Sequence, residues 1–105
     1  MKKLLCALLF LLPLSQAKAE PVTYTYDTVH SQIIFFVNHK GFSFSEGEFL
    51  DFDGSITFDP ENPEAANVNV VIDTASIDMD DEKWEAHLKN EDFFHVDKYP
   101  EMTFK

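Results

Sequence analysis

Four histidines, His30, His39, His87 and His95, and the acidic run Asp78-Met79-Asp80-Asp81-Glu82 are the groups in this sequence whose types could bind a metal or move protons. A zinc site takes three or four His, Cys or carboxylate ligands, often at short helical or hairpin spacing. No such close His pair is present. His30 and His39 are nine apart and fall on opposite faces of any regular strand. The acidic run resembles the start of a calcium loop but lacks its central Gly and closing Glu, and a solvated helix N-terminus accounts for it. Ser31 follows His30, yet adjacent strand residues point to opposite faces and make no nucleophile–base pair. Among the carboxylates, no pair is set in an apolar surround that would raise a pKa. Gly41, Gly47 and Gly54 are the only glycines and form no phosphate-cradling loop. These residues predict a protein that is not an enzyme and holds no metal.

What remains is aromatic. The sequence has eleven Phe, one Trp and three Tyr, and all but Phe10 follow residue 19. That exceeds what one face of a small antiparallel sheet needs. One reading is a core filled with rings; the other is a barrel lined for an apolar ligand. Ile33-Ile34-Phe35-Phe36-Val37 bears on the choice because it is apolar on both faces. One face can line an interior, and the other then needs cover from a helix or a second subunit.

The elements that would position these rings are strands. Val22 to Tyr26, Phe42 to Phe44 and Asn67 to Val70 alternate with period two. Ser31 to His39, Glu48 to Phe52 and Ser55 to Asp59, between them, are rich in Ile, Phe and Val. Tyr99 to Lys105 opens one more, giving six strands and the start of a seventh. Asp59-Pro60-Glu61-Asn62-Pro63 is a turn by composition. A hairpin is expected at Asp53-Gly54. A three-residue loop there, Asp53-Gly54-Ser55, pairs Phe52 with Ile56 and Leu50 with Phe58, keeping four apolar residues on one face that a two-residue loop would split. Asp80 to Asn90 breaks the strand pattern. Acids in its first turn, Lys89 in its last, and Trp84 with Leu88 at i,i+4 predict a short helix with one apolar edge. The class is all-β and antiparallel, with one helix.

Composition narrows the function further. A length of 105 residues allows one small domain and excludes a doubly wound nucleotide-binding fold. A net charge of −11 with no Arg argues against nucleic acid. Met1-Lys2-Lys3, the apolar run Leu4 to Leu14 and Ala17-Lys18-Ala19 predict a cleavable export signal over residues 1–19, cut near Ala19/Glu20. Eleven apolar residues at about 1.5 Å each fall short of the ~30 Å hydrocarbon core, so stable membrane insertion is not expected. Removing the signal takes three of the eight Lys, Cys6 and no acid, leaving 86 residues at a net charge of −14. An exported chain of that size usually carries disulfides, and this one has no Cys with which to form them. With a strand only begun at Tyr99, residues 20–105 read as the N-terminal part of a larger domain.

Asp27-Thr28-Val29-His30-Ser31, followed by Phe35-x-Val37-x-His39, resembles the opening of the YceI-like family of polyisoprenoid-binding, lipocalin-like proteins. The likeness continues through Gly47-x-Phe49, Phe52-x-Gly54-x-Ile56-x-Phe58-Asp59 and Val68-x-Val70-x-Ile72-Asp73. It runs on over Ala75-Ser76-Ile77-Asp78, His87-Leu88, Asp92-Phe93-Phe94 and Lys98-Tyr99-Pro100-x-Met102-Thr103-Phe104. Each piece is short; their order and spacing make the likeness specific. The chain departs from the pattern at Met79, where many members carry Thr, at Trp84-Glu85, where an Arg-Asp pair is common, at His95, and at the apolar Ile34 and Phe36.

The resemblance implies an extended antiparallel β-barrel, eight-stranded in the complete domain and about twice the length of this chain. It also implies a periplasmic protein, often a homodimer, that holds a long isoprenoid or quinone-like lipid for transport or storage and needs no other cofactor. A non-catalytic stress-response or interaction protein with a filled barrel, its acidic exterior meeting a basic partner, is the alternative. Strand parity selects the expected lining. Ile33, Phe35, Val37 and His39 share one strand face; Leu50, Phe52, Ile56 and Phe58 share another in the expected hairpin; Val68, Val70 and Ile72 share a third. Phe42, Phe44, Phe49, Phe93 and Phe94 complete the set.

Overall fold

A computed structural model describes residues 19–105, so the export signal read in the sequence lies, save for Ala19, outside the described residues. The described residues are mostly β-sheet, with one α-helix. Strands β1 (Val22–Thr25), β2 (Ile33–His39), β3 (Ser43–Phe49), β4 (Phe52–Phe58), β5 (Asn67–Asp73), β6 (Ile77–Asp78) and β7 (Glu101–Phe104) divide between two antiparallel sheets. One has the order β1-β4-β5-β7 and the other β2-β3-β6. Each sheet has two free edges among the described residues. Helix α1 (Glu82–Lys89) follows β6, within the span its charges and i,i+4 pair predict.

No hairpin forms at Asp53-Gly54. Residues 52–58 run straight through it as β4, and Gly54 lies opposite Val70 of β5. A Cβ on Gly54 would strike the Asn69 carbonyl, so glycine is needed for the approach of a neighbouring backbone, not for a turn. The expected loop was chosen to keep apolar residues together, and an unbroken strand does this unaided, since Phe52, Ile56 and Phe58 share its parity. Phe58 consequently pairs with Val22 rather than with Leu50, which stays exposed in the corner between β3 and β4. Residues 43–49 are likewise one strand, β3, where Phe42 to Phe44 and Glu48 to Phe52 were expected as separate ones. The Asp59–Pro63 segment is the expected turn, with the Asp59 side chain accepting the Glu61 N–H at 2.9 Å.

Of the four connections that carry the chain between sheets, two lie side by side. Leu50-Asp51 takes it from β3 to β4, and the 3₁₀ turn Thr74–Ser76 takes it from β5 to β6. The Leu50 N–H donates to the Ser76 carbonyl at 3.1 Å and the Asp73 N–H to the Asp51 carbonyl at 2.9 Å. The Asp51 N–H donates to Ser76 Oγ at 3.0 Å. Thr74, fully buried, donates its hydroxyl to the Tyr99 carbonyl at 2.6 Å, which fastens the approach to β7. This seam turns the two inner faces toward each other, as strands that switch sheets do. The core sits there. Phe49, Ile77 and Met79 are buried, with Ile33, Phe35, Ile72, Leu88, Phe94 and Met102 packed against them from both sheets and the helix.

Helix α1 is held by its ends. Asp81 Oδ1 accepts the Trp84 N–H at 2.8 Å as N-cap, and Glu85 reaches back to accept the Met79 N–H at 3.0 Å. The helix lies over the Phe35 side of β2, the side that already faces inward, so it gives no cover to the opposite face. Ile34 and Phe36 on that opposite face are left exposed.

Candidate functional site

The inner face of the β2–β3 pair and the apolar edge of α1 enclose a cavity of about 400 Å³. In register, Phe35 lies opposite Gly47, Val37 opposite Ser45, and His39 opposite Ser43. The absent side chain at Gly47 gives the Phe35 ring and the Met79 sulfur room to lie over the strand, and a Cβ there would strike both. Met79 forms a buried floor, and Trp84 and Leu88 form the helix wall.

The segment after α1 supplies the remaining wall. Its backbone folds back on the helix end, with the Phe94 N–H donating to the Leu88 carbonyl at 3.0 Å and the His95 N–H to the Asn90 carbonyl at 2.9 Å. That turn places Phe94 edge-on to Phe49 at 5.5 Å between ring centres, and Phe49 in turn meets Phe35 at 5.5 Å. Such a chain of offset and edge-on rings is stable beyond its buried area and leaves flat apolar walls. Phe93 stands at the mouth, edge-on to His87 at 5.1 Å, and His87 Nε2 lies 3.3 Å from Asp92 Oδ2. Of the polar residues on the wall, Asn38, His39 and Ser45 sit toward the β2–β3 turn. No Lys, Asp or Glu lines the cavity. A space so lined can bury hydrocarbon and meet one or two hydrogen bonds.

The polar pairs elsewhere are exposed. His30 Nδ1 is 2.8 Å from Asp27 Oδ2 in the turn before β2. That hydrogen bond, followed by the Val29 N–H, holds the Asp27 carboxyl below its ordinary value. Ser31 takes no part in the pair. Among the described residues no three His, Cys, Asp or Glu side chains converge as metal ligands would.

Of the expected lining, Phe35, Val37, His39, Phe93 and Phe94 meet in this cavity. Phe49 lies buried beneath it, and Ile33 and Ile72 pack against the same core. Phe52, Ile56, Val68 and Val70 share the inner face of the other sheet, paired as Phe52 with Ile72 and Ile56 with Val68. Phe58 lies on that face at its far end and is exposed. Leu50 is in the corner, away from the cavity. Phe42 and Phe44 also lie outside this cavity: Phe42 is in the β2–β3 turn, and Phe44 has the outward parity of β3, opposite Asn38. Met79, Trp84 and Leu88 are the wall residues the expected lining omitted. The i,i+4 pair Trp84 and Leu88 was the available signal, because an apolar helix edge must face something apolar.

The family model described as YceI-like domain matches residues 24–105. Protein YceI of Shigella flexneri is 41% identical over 107 aligned residues, covering 99% of this chain and 56% of that protein. A Yersinia enterocolitica UPF0312 protein is 47% identical over 75 residues, 71% of this chain and 39% of that one. The chain thus spans about half the length of the curated relatives it matches. Among solved structures, Burkholderia cenocepacia BcnA superposes with a TM-score of 0.68 at 28% identity over 74% of this chain and 48% of its own. A mutant CJ YCEI protein solved with a monobromobimane guest gives a TM-score of 0.54 at 35% identity over 77% of this chain and 47% of its own.

Proposed function

The chain belongs to the YceI-like family, and on that premise we propose that it binds a long apolar molecule, a polyisoprenoid or similar lipid, without chemical change. The observation that carries this reading is the ring-walled cavity between β2, β3 and α1, about 400 Å³ in volume and with few polar groups on its wall. Burying hydrocarbon in such a space is favourable by about 0.8 kcal/mol per CH₂. In an eight-stranded barrel of the family's kind, the cavity would open into an interior whose other wall is the Phe52, Ile56, Val68 and Val70 face. Residues 1–19 support export to the periplasm.

Trp84 is the only tryptophan in the sequence and lies on the cavity wall. Its fluorescence should therefore respond saturably to geraniol, farnesol and geranylgeraniol, with affinity rising along that series. Phe35→Ser should weaken the response in a protein that still melts cooperatively. No response to any of the three, together with no prenyl lipid extracted from the purified protein for mass spectrometry, would leave the filled, non-binding core as the better reading.

A further inference from the structure

The tip of the β2–β3 hairpin has a surface unlike the rest of the molecule. Lys40 and Gly41 both take the left-handed conformation, φ 55° and 78°, as the two central residues of a tight hairpin turn with native twist do. The Asn38 side chain accepts the Gly41 N–H at 2.7 Å, and the His39 carbonyl accepts the Phe42 N–H at 3.0 Å. This fixed turn holds Phe42 out at 94% exposure, with Phe44 at 68% and Phe36 at 63% on the outer face behind it. Single exposed apolar residues are ordinary, but three Phe gathered at one tip call for a partner.

Charge says which partner. In a sequence with nineteen acids, Thr28 to Ser45 contains none, and it carries His30, His39 and Lys40. The acids return on the outer face at Glu46 and Glu48, opposite Phe36 and Ile34, so the apolar surface is free of negative charge only toward the tip. A protein of net charge −11 is repelled by an anionic membrane, and one Lys adds only about 1 kcal/mol of attraction to it. A zwitterionic surface raises no such barrier and accepts aromatic side chains at its interface. The same hairpin also carries Val37, His39 and Ser45 on its inner face, at the cavity.

We propose that the β2–β3 tip is a membrane-docking element that inserts Phe42, with Phe44 and Phe36 beside it, into a zwitterionic bilayer and so sets the cavity against the lipid. The inference rests on the lipid-binding reading for its purpose, but its test is separate. Flotation of the exported form, residues 20–105 without the apolar signal run, with phosphatidylcholine vesicles should recover it in the lipid layer. Phe42→Ser should reduce that recovery by about tenfold or more, the partition expected for one withdrawn Phe side chain, and Phe44→Ser should reduce it less. Because Phe42 has few neighbours, its variant should keep the cooperative melt and the Trp84 response to farnesol. The proposal is overturned if the unsubstituted chain stays with the aqueous layer, or if Phe42→Ser floats as well as the parent. It is equally overturned if the substitution abolishes self-association in sedimentation while vesicle binding is absent, which would make the tip an interface between copies. Loss of the Trp84 response with flotation retained would instead strike the lipid-binding reading alone.

Discussion

Gly54 and Gly47 both occupy places where a side chain has no room, but the obstacles differ in kind. At Gly54 the obstacle is the Asn69 carbonyl of the adjacent strand; at Gly47 it is the far end of the Phe35 ring and the Met79 sulfur. Backbone in a paired strand cannot yield without breaking its ladder, whereas a ring and a thioether can swing. Gly54→Ala should therefore destabilise by about 3 kcal/mol and Gly47→Ala by about 1 kcal/mol, the upper and lower ends of what overpacking does, as urea unfolding will measure. Gly47→Ala should also blunt the Trp84 response to farnesol, since the ring it displaces moves into the cavity. Asp27 offers a pH test at the same scale. Its carboxyl, hydrogen-bonded by His30 and then by the Val29 N–H, titrates below its ordinary value of 3.8. A depressed folded value means the contribution to stability is present above the unfolded value and is lost as pH falls through the folded one. A carbon-13 titration should place the Asp27 midpoint below 3.8, and His30→Ala should move it up.

Helix α1 carries one wall of the cavity on eight residues, too few to be stable alone. Its fixed points are therefore worth testing. Asp81→Ala removes the side chain that accepts the Trp84 N–H and should cost about 1 kcal/mol. It should also shift the Trp84 emission to the red as the first turn frays, with Asp81→Asn restoring both. Local signals of this kind were legible in the sequence: the charges and i,i+4 pair of α1, the Asp59–Pro63 turn, and the inward parity of Ile33, Phe35 and Val37. The β3–β4 corner was not. Alternation says which residues share a face but not which sheet the next strand joins, so Leu50 was grouped with a face that the chain leaves at that very residue. The placement of Phe42 and Phe44 outside the cavity was not legible for a related reason: being aromatic does not distinguish an inward ring from one held out on a hairpin. Two-residue β6 is below the length at which periodicity can be read at all.

For the whole molecule the dominant long-range force is repulsion among its acids, at a net charge of −11. Exposed like charges destabilise a compact state and are screened beyond roughly 8 Å at physiological salt. Raising sodium chloride from low salt to about 0.15 M should thus raise the melting temperature, by on the order of 4 °C if the relief is about 1 kcal/mol. A flat response would mean that the acids are spaced too widely to matter. The free edge of β2 gives this repulsion a second meaning. Ile33-Ile34-Phe35-Phe36-Val37 is a run of five β-forming residues with no charge and no proline, on a strand whose one neighbour among the described residues is β3. Such a run is a template for cross-β growth. The surrounding negative charge then acts as a colloidal guard: the salt that steadies each folded copy also lets two copies bring those edges together, so thermal stability and shelf stability should respond to ionic strength in opposite directions.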